Sequence, residues 1–122
     1  MTREYPITKH CFDLEKRTLE FSKNVIRLCK QLPKNVINNE FIGQLIRASG
    51  SIGANYREAN DALSKKDFKH RIKITRKEAK EAHYWLELLI EANPDFKEKI
   101  DILLKEALEL KRIFSSIVDK ST

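Results

Sequence analysis

Gln44–Leu89 reads QLIRASGSIGANYREANDALSKKDFKHRIKITRKEAKEAHYWLELL. Its apolar residues recur three and four apart. Leu45, Ala48, Ile52, Ala59 and Leu63 continue a line that starts at Phe41. After a polar interruption, Phe68, Ile72, Thr75, Ala79, Ala82, Leu86 and Leu89 form another. That period is the signature of amphipathic helices, and the alternation of a strand is absent. Ser64 sits where a helix N-cap is needed, with Asp67 three residues on as a short variant of the capping box. The run therefore predicts two helices, about residues 39–63 and 65–91, joined by a very short connection.

The same reading extends outward. Pro33 ends a first amphipathic segment, about residues 9–32, and Asn93-Pro94 opens a last one, about residues 95–118. Helix 1 carries Cys11, Phe12, Leu14, Leu19, Phe21, Val25, Ile26, Leu28, Cys29 and Leu32 over an arc of roughly 200°. Helix 4 carries Phe96, Ile100, Leu103, Ala107, Leu110, Phe114, Ile117 and Val118 inward. Its Ile102, Leu104, Leu108 and Ile113 widen the arc to roughly 240°. Long helices joined by short connections predict one all-α domain, an antiparallel up-down four-helix bundle. Apolar arcs wider than one core requires predict a second buried surface, hence self-association. In helix 2, Gly50 and Gly53 lower helix propensity, and their use would be a close helix–helix approach.

The chain has 122 residues, 34% of them charged, with three Gly and three Pro, which suits one helical domain. No apolar run reaches the roughly 20 residues a membrane span requires. The N-terminal MTREYPITKHCFDLEKR lacks an apolar signal region, so the expected compartment is the cytoplasm. Cys11 and Cys29 share a face of helix 1 but lie roughly 27 Å apart along it. A disulfide needs Cα atoms within about 7 Å, so both read as small apolar residues. His10-Cys11 has no second ligand pair at helical spacing, and no metal or other cofactor is expected.

The net charge of +6 is concentrated. Between Ser64 and Lys80, eight cations face Asp67 and Glu78, a balance equal to that of the whole chain. At about 100° per residue, Lys65, Lys66, Lys69, Lys73, Arg76, Lys77 and Lys80 fall within an arc of about 120°, and only Arg71 lies off it. From Glu81 to Asn93 the helix carries Glu81, Glu87 and Glu91 and no Lys or Arg. This order opposes the helix macrodipole, which favours anions at the start and cations at the end. Stability alone would not select it, whereas a polyanion such as RNA or DNA would meet a one-sided row of cations. The row is lysine-rich and reads as lacking exposed aromatics, so its expected contacts are phosphates. A solvated charged face is the plain alternative, and an acidic protein partner is another.

No phosphate-binding loop, dinucleotide fingerprint or metalloprotease motif is present. Arg47, Ser51, Asn55 and Glu58 share one side of helix 2, within about 80°, and read as a solvated or inter-helix polar face. Arg76 and His83, two turns apart, resemble an acid/base and phosphate-stabilising pair of certain helical-bundle ribonucleases. That spacing arises readily by chance in so basic a helix, and the expectation is a non-enzymatic protein. A metal-independent endoribonuclease using Arg76 and His83 is the lesser reading.

Beyond periodicity, the run resembles the four-helix-bundle 23S rRNA intervening-sequence protein family. The matching pieces are Arg47-Ala48-Ser49, Ser51-Ile52-Gly53-Ala54-Asn55-Tyr56, Glu58-Ala59, Ser64 with Asp67-Phe68, Lys77-Glu78-Ala79 and Tyr84-Trp85-Leu86. Helices 1 and 4 match only in length and pattern. Where family members often place Gly after Glu58, this chain has Ala59. The resemblance implies an up-down four-helix protomer in a homopentameric ring, some members being encoded within insertions in bacterial large-subunit rRNA genes. The accessory variability protein of diversity-generating retroelements is similar, a basic pentameric ring that binds nucleic acid and a reverse transcriptase. Most members have no assigned activity, so the resemblance implies fold and assembly more than function.

Overall fold

The computed structural model describes the backbone of residues 6–121 and the side chains of residues 13–121. The readings of His10, Cys11 and Phe12 concern side chains outside that range. Four helices, α1 (Pro6–Gln31), α2 (Val36–Asn60), α3 (Lys65–Ala92) and α4 (Lys97–Lys120), make up the described residues, with no strand among them.

Each boundary has a local cause. α1 stops two residues before Pro33, whose ring disfavours helical backbone in the residue preceding it. Asn35 is extended at φ −155°, and its side chain accepts the Asn38 N–H at 2.8 Å. This cap starts α2 three residues earlier than the apolar pattern alone places it. At the other end the Asp61 N–H turns back to the carbonyls of Arg57 and Glu58. The chain must leave the helix there because Ser64 needs extended backbone, φ −142°, to cap α3. Leu63, expected on the core face of α2, is consequently 99% exposed in the connection. α3 ends at Ala92 with Asn93 as its C-cap, and Pro94 opens a 3-10 turn, Pro94–Phe96, that leads into α4.

Around the bundle the neighbours are α1–α2, α2–α3, α3–α4 and α4–α1. The α2–α3 seam is the most extensive and the α1–α4 seam the thinnest. Cross-helix contacts join Glu15 to Asn60, Arg17 to Glu106, Gln31 to Lys99, Asn38 to Asn93 and Asn55 to Arg71. The core holds Phe21 and Val25, Leu45 and Ile52, Ile72 and Leu86, and Ile100 and Leu110, all essentially without exposure. Tyr56, at the flank of the expected α2 face, lies inside, its ring 5.5 Å from that of Phe114. A fully buried side chain of this size contributes about 1.5–3 kcal/mol through removal of apolar area from water.

The wide arcs of α1 and α4 are only partly used. Leu14, Phe21, Val25, Leu28 and Leu32 are buried, whereas Leu19 and Ile26 point outward. On α4, Ile102 is 69% exposed, while Leu104, Leu108 and Ile113 are half-buried. Trp85, off the Phe68–Leu89 line of α3 by spacing, packs against the core and stacks on Phe41 of α2 at 6.1 Å.

Candidate nucleic-acid interface

α3 carries the candidate face, and its cap sets where that face begins. Ser64 Oγ accepts the Asp67 N–H at 3.0 Å, which satisfies one of the free donors of the first turn. The anionic Asp67 is also the one side chain of that turn that suits the helix dipole. From there Ile72, Thr75, Ala79, Ala82, Leu86 and Leu89 turn inward. The helical period then directs the cation row outward.

Lys65, Lys66, Lys73, Lys77 and Lys80 are exposed; Lys69 and Arg76 are half-buried. Arg76 and Lys69 lie about 20° and 40° from Lys65, toward the core margin of the arc; Lys65, nearer still to that margin by bearing, keeps its solvent at the first position of the helix. Lys77 meets Glu81 at 3.9 Å, a weak surface pair. Arg71, off the row by spacing, turns to α2 and donates from Nη1 to Asn55 Oδ1 at 3.2 Å.

That bond settles the geometry of the polar side of α2. Asn55 also donates to the Ser51 carbonyl at 2.9 Å, so Asn55 sits at the α3 seam while Arg47 and Glu58 of the same stripe are exposed. Burial pushes the Glu78 carboxyl up and nearby Glu81 adds to the shift, while Lys77 and Arg47 pull it back. Arg47 of α2 therefore lies near Glu78, on the α2-facing edge of α3 and about 100° round the helix from Lys77, the nearest cation of the row; its guanidinium is bonded to Gln44 at 2.6 Å.

His83 places Nδ1 3.4 Å from Glu87 Oε1, one turn further along the helix. Arg76 and His83 share no hydrogen bond among the described residues, and both are half-buried. No group of three or more His, Cys, Asp or Glu side chains is arranged to hold a metal ion among the described residues. The Cys29 thiol is pushed up to about 11 by burial, so it is protonated and unreactive near neutrality.

One feature departs from the expectation of a row without aromatics. Tyr84 is 54% exposed, and it lines a cleft of about 350 Å³ with Lys77, Lys80, Glu81 and Trp85. A larger groove, about 790 Å³, lies at the α1–α4 seam beside exposed Ile102. There Arg17 forms a bidentate pair with Glu106 at 2.7 and 2.8 Å, and anions and cations are mixed along the walls. The seam lacks the single-sign charge of the α3 face. No helix among the described residues is long and apolar enough to cross a membrane.

The family model described as 23S rRNA-intervening sequence protein matches residues 12–116. A crystal structure of a protein of unknown function from the S23 ribosomal protein family of Bacteroides thetaiotaomicron has a similar fold. It superposes with a TM-score of 0.75 at 33% sequence identity, over 85% of this chain and 96% of that one. Among curated proteins, none matches the chain.

Proposed function

This chain belongs to the 23S rRNA-intervening sequence protein family, and on that premise we propose that it is a non-enzymatic, homo-oligomeric nucleic-acid-binding bundle. The observation that carries this reading is the concentration of charge equal to the chain's net +6 in the first half of one helix, with seven of the eight cations on one arc. Five of its lysines are solvent-exposed. Phosphates along RNA or DNA are the ligands such a row suits, through contacts independent of sequence. The cross-helix contacts Glu15–Asn60, Asn38–Asn93 and Gln31–Lys99 support an antiparallel up-down arrangement of the protomer. Outward Leu19, Ile26 and Ile102 support a second buried surface between copies, for which the family resemblance suggests a pentamer. The proposed setting is the cytoplasm.

Salt dependence is the test. Each phosphate neutralised contributes about −0.9 to the slope of log K against log salt on a duplex, or about −0.7 on a single strand. Three or four contacts per protomer therefore give a slope of roughly −2 to −4. Replacing Lys69 and Lys73 together with Gln is expected to flatten it by about one to two units while preserving helicity, since Gln forms helices well. Fluorescence anisotropy at several salt concentrations, beside a thermal melt, reads both. Unchanged affinity and slope in the double variant remove the row as the site. RNA cleavage by the purified protein that disappears in a folded His83→Ala variant overturns the non-enzymatic reading.

A further inference from the structure

We propose that Tyr84 is a base-stacking platform at the end of the α3 cation row, and that the ligand of this face is a single-stranded nucleic acid. This rests on the polyanion reading and adds the form of the polyanion. Four observations converge on it. At about 100° per residue Tyr84 lies on the same bearing as Lys66 and between those of Lys73 and Lys77, so it belongs to the row geometrically. Among the described Phe, Tyr and Trp side chains it is the one that is exposed; the others are half-buried or buried.

Its ring is also held. It packs at 67° against Trp85, centroids 5.2 Å apart, and Trp85 in turn stacks on Phe41 of α2. A ring fixed in this way loses little freedom when a base lands on it. Finally, Lys77 and Lys80 share its cleft, so the phosphates flanking a stacked base have cations beside them. Past Tyr84 the face changes sign, with Glu87 and Glu91 both exposed. A strand held by the lysines therefore meets the ring where its electrostatic track ends.

In a duplex the bases already stack on one another and present no free face to a ring beside the backbone. A single strand offers both phosphates and unstacked bases, the combination that sequence-tolerant single-strand binders use. An acidic protein segment would satisfy the lysines and leave Tyr84 without a role.

The probes are labelled oligo-dT and oligo-U of about 12 nucleotides, a duplex of equal length, an abasic strand with the same phosphates, and polyglutamate. Oligo-dT or oligo-U is expected to bind about tenfold more tightly than the abasic strand, in line with base–aromatic stacking. Tyr84→Ala removes that advantage and leaves abasic binding unchanged, whereas Tyr84→Phe retains it. Comparing the dT and U strands tells DNA from RNA. Trp85 is the chain's single tryptophan, so its emission reports the site directly, changing with base-bearing strands and not with the abasic one. Equal, salt-dependent binding of abasic and base-bearing strands overturns the stacking platform and leaves the polyanion reading standing. Equal binding of the duplex or of polyglutamate overturns the single-strand assignment. No binding of any strand overturns the polyanion reading itself. Should Tyr84→Ala fail to fold, the abasic comparison and Tyr84→Phe decide the matter.

Discussion

Asn38 and Asn93 show how much depends on single polar side chains in an otherwise apolar interior. Their amides exchange two hydrogen bonds, at 2.8 and 2.9 Å. Asn38 Nδ2 also donates to the Pro33 carbonyl, and Asn93 Nδ2 donates to that of Leu89. One buried pair thereby ties the α1–α2 connection, the start of α2 and the end of α3. Removing one partner leaves polar atoms buried without a mate, which costs about 1–3 kcal/mol for each group stranded. Asn93→Ala is expected to lower stability by about 2–3 kcal/mol in urea unfolding. Asn38→Ala is expected to cost a similar amount, and the double variant clearly less than the sum, because its members share a network. Additive costs would show that the two amides act independently. Neither residue is conspicuous in the sequence: Asn93 reads as punctuation before Pro94, and Asn38 as the polar lead-in to a helix. Only their meeting across 55 positions gives them this role.

At the scale of the helix, the small residues of α2 divide into two kinds. Gly53 lies against α1, where an added Cβ would come within 3.2 Å of Thr18 Oγ1. Thr18 is fully buried and its hydroxyl is bonded to the Leu14 carbonyl at 2.8 Å, so it has little freedom to give way. Gly50 has no such neighbour; a Cβ there meets nothing within 4 Å in the protomer. Gly50→Ala is therefore expected to raise protomer stability by about 0.5–1 kcal/mol through helix propensity. For Gly53→Ala the same gain is offset by the collision, with no net stabilisation. Thermal melts of the two variants distinguish these outcomes, and a loss at Gly50 would point to a close approach by another copy. The close helix–helix approach expected of RASGSIGAN is thus realised at Gly53 and not at Gly50. α3 shows a different tension, because its cations crowd the half of the helix where the dipole is already positive. The Ser64 cap and Asp67 relieve only part of that.

For the whole molecule, the exposed apolar side chains bear on assembly. Leu19, Ile26 and Ile46 lie outward on α1 and α2, and Ile102 on α4 beside the thin α1–α4 seam. The proposed oligomer buries some of these, so light scattering at micromolar concentration is expected to give a multiple of the 14.3 kDa protomer mass. A mass near 14.3 kDa would sink it. Changing Ile102 to Lys is expected to weaken assembly if the α4 side is the interface, with little effect on protomer unfolding because the side chain is 69% exposed.

The sequence by itself determined the helical class, the helix number, the α3 cap and the angular order of the cation row. These depend on interactions between residues a few positions apart, which the 3.6-residue period and capping chemistry express directly. It also showed which helices carry more apolar surface than one core absorbs. Tertiary structure decided which apolar side chains go inside: Trp85 of α3 packs inward on Phe41, while Leu19 and Ile26 of the broad α1 arc point outward. It decided that Leu63 leaves its helix, because the next cap demands extended backbone. It also decided that Tyr84 stands exposed at the end of the lysines. Periodicity gives a residue's bearing around its own axis, but whether that bearing meets a neighbour or water depends on where the other three helices lie.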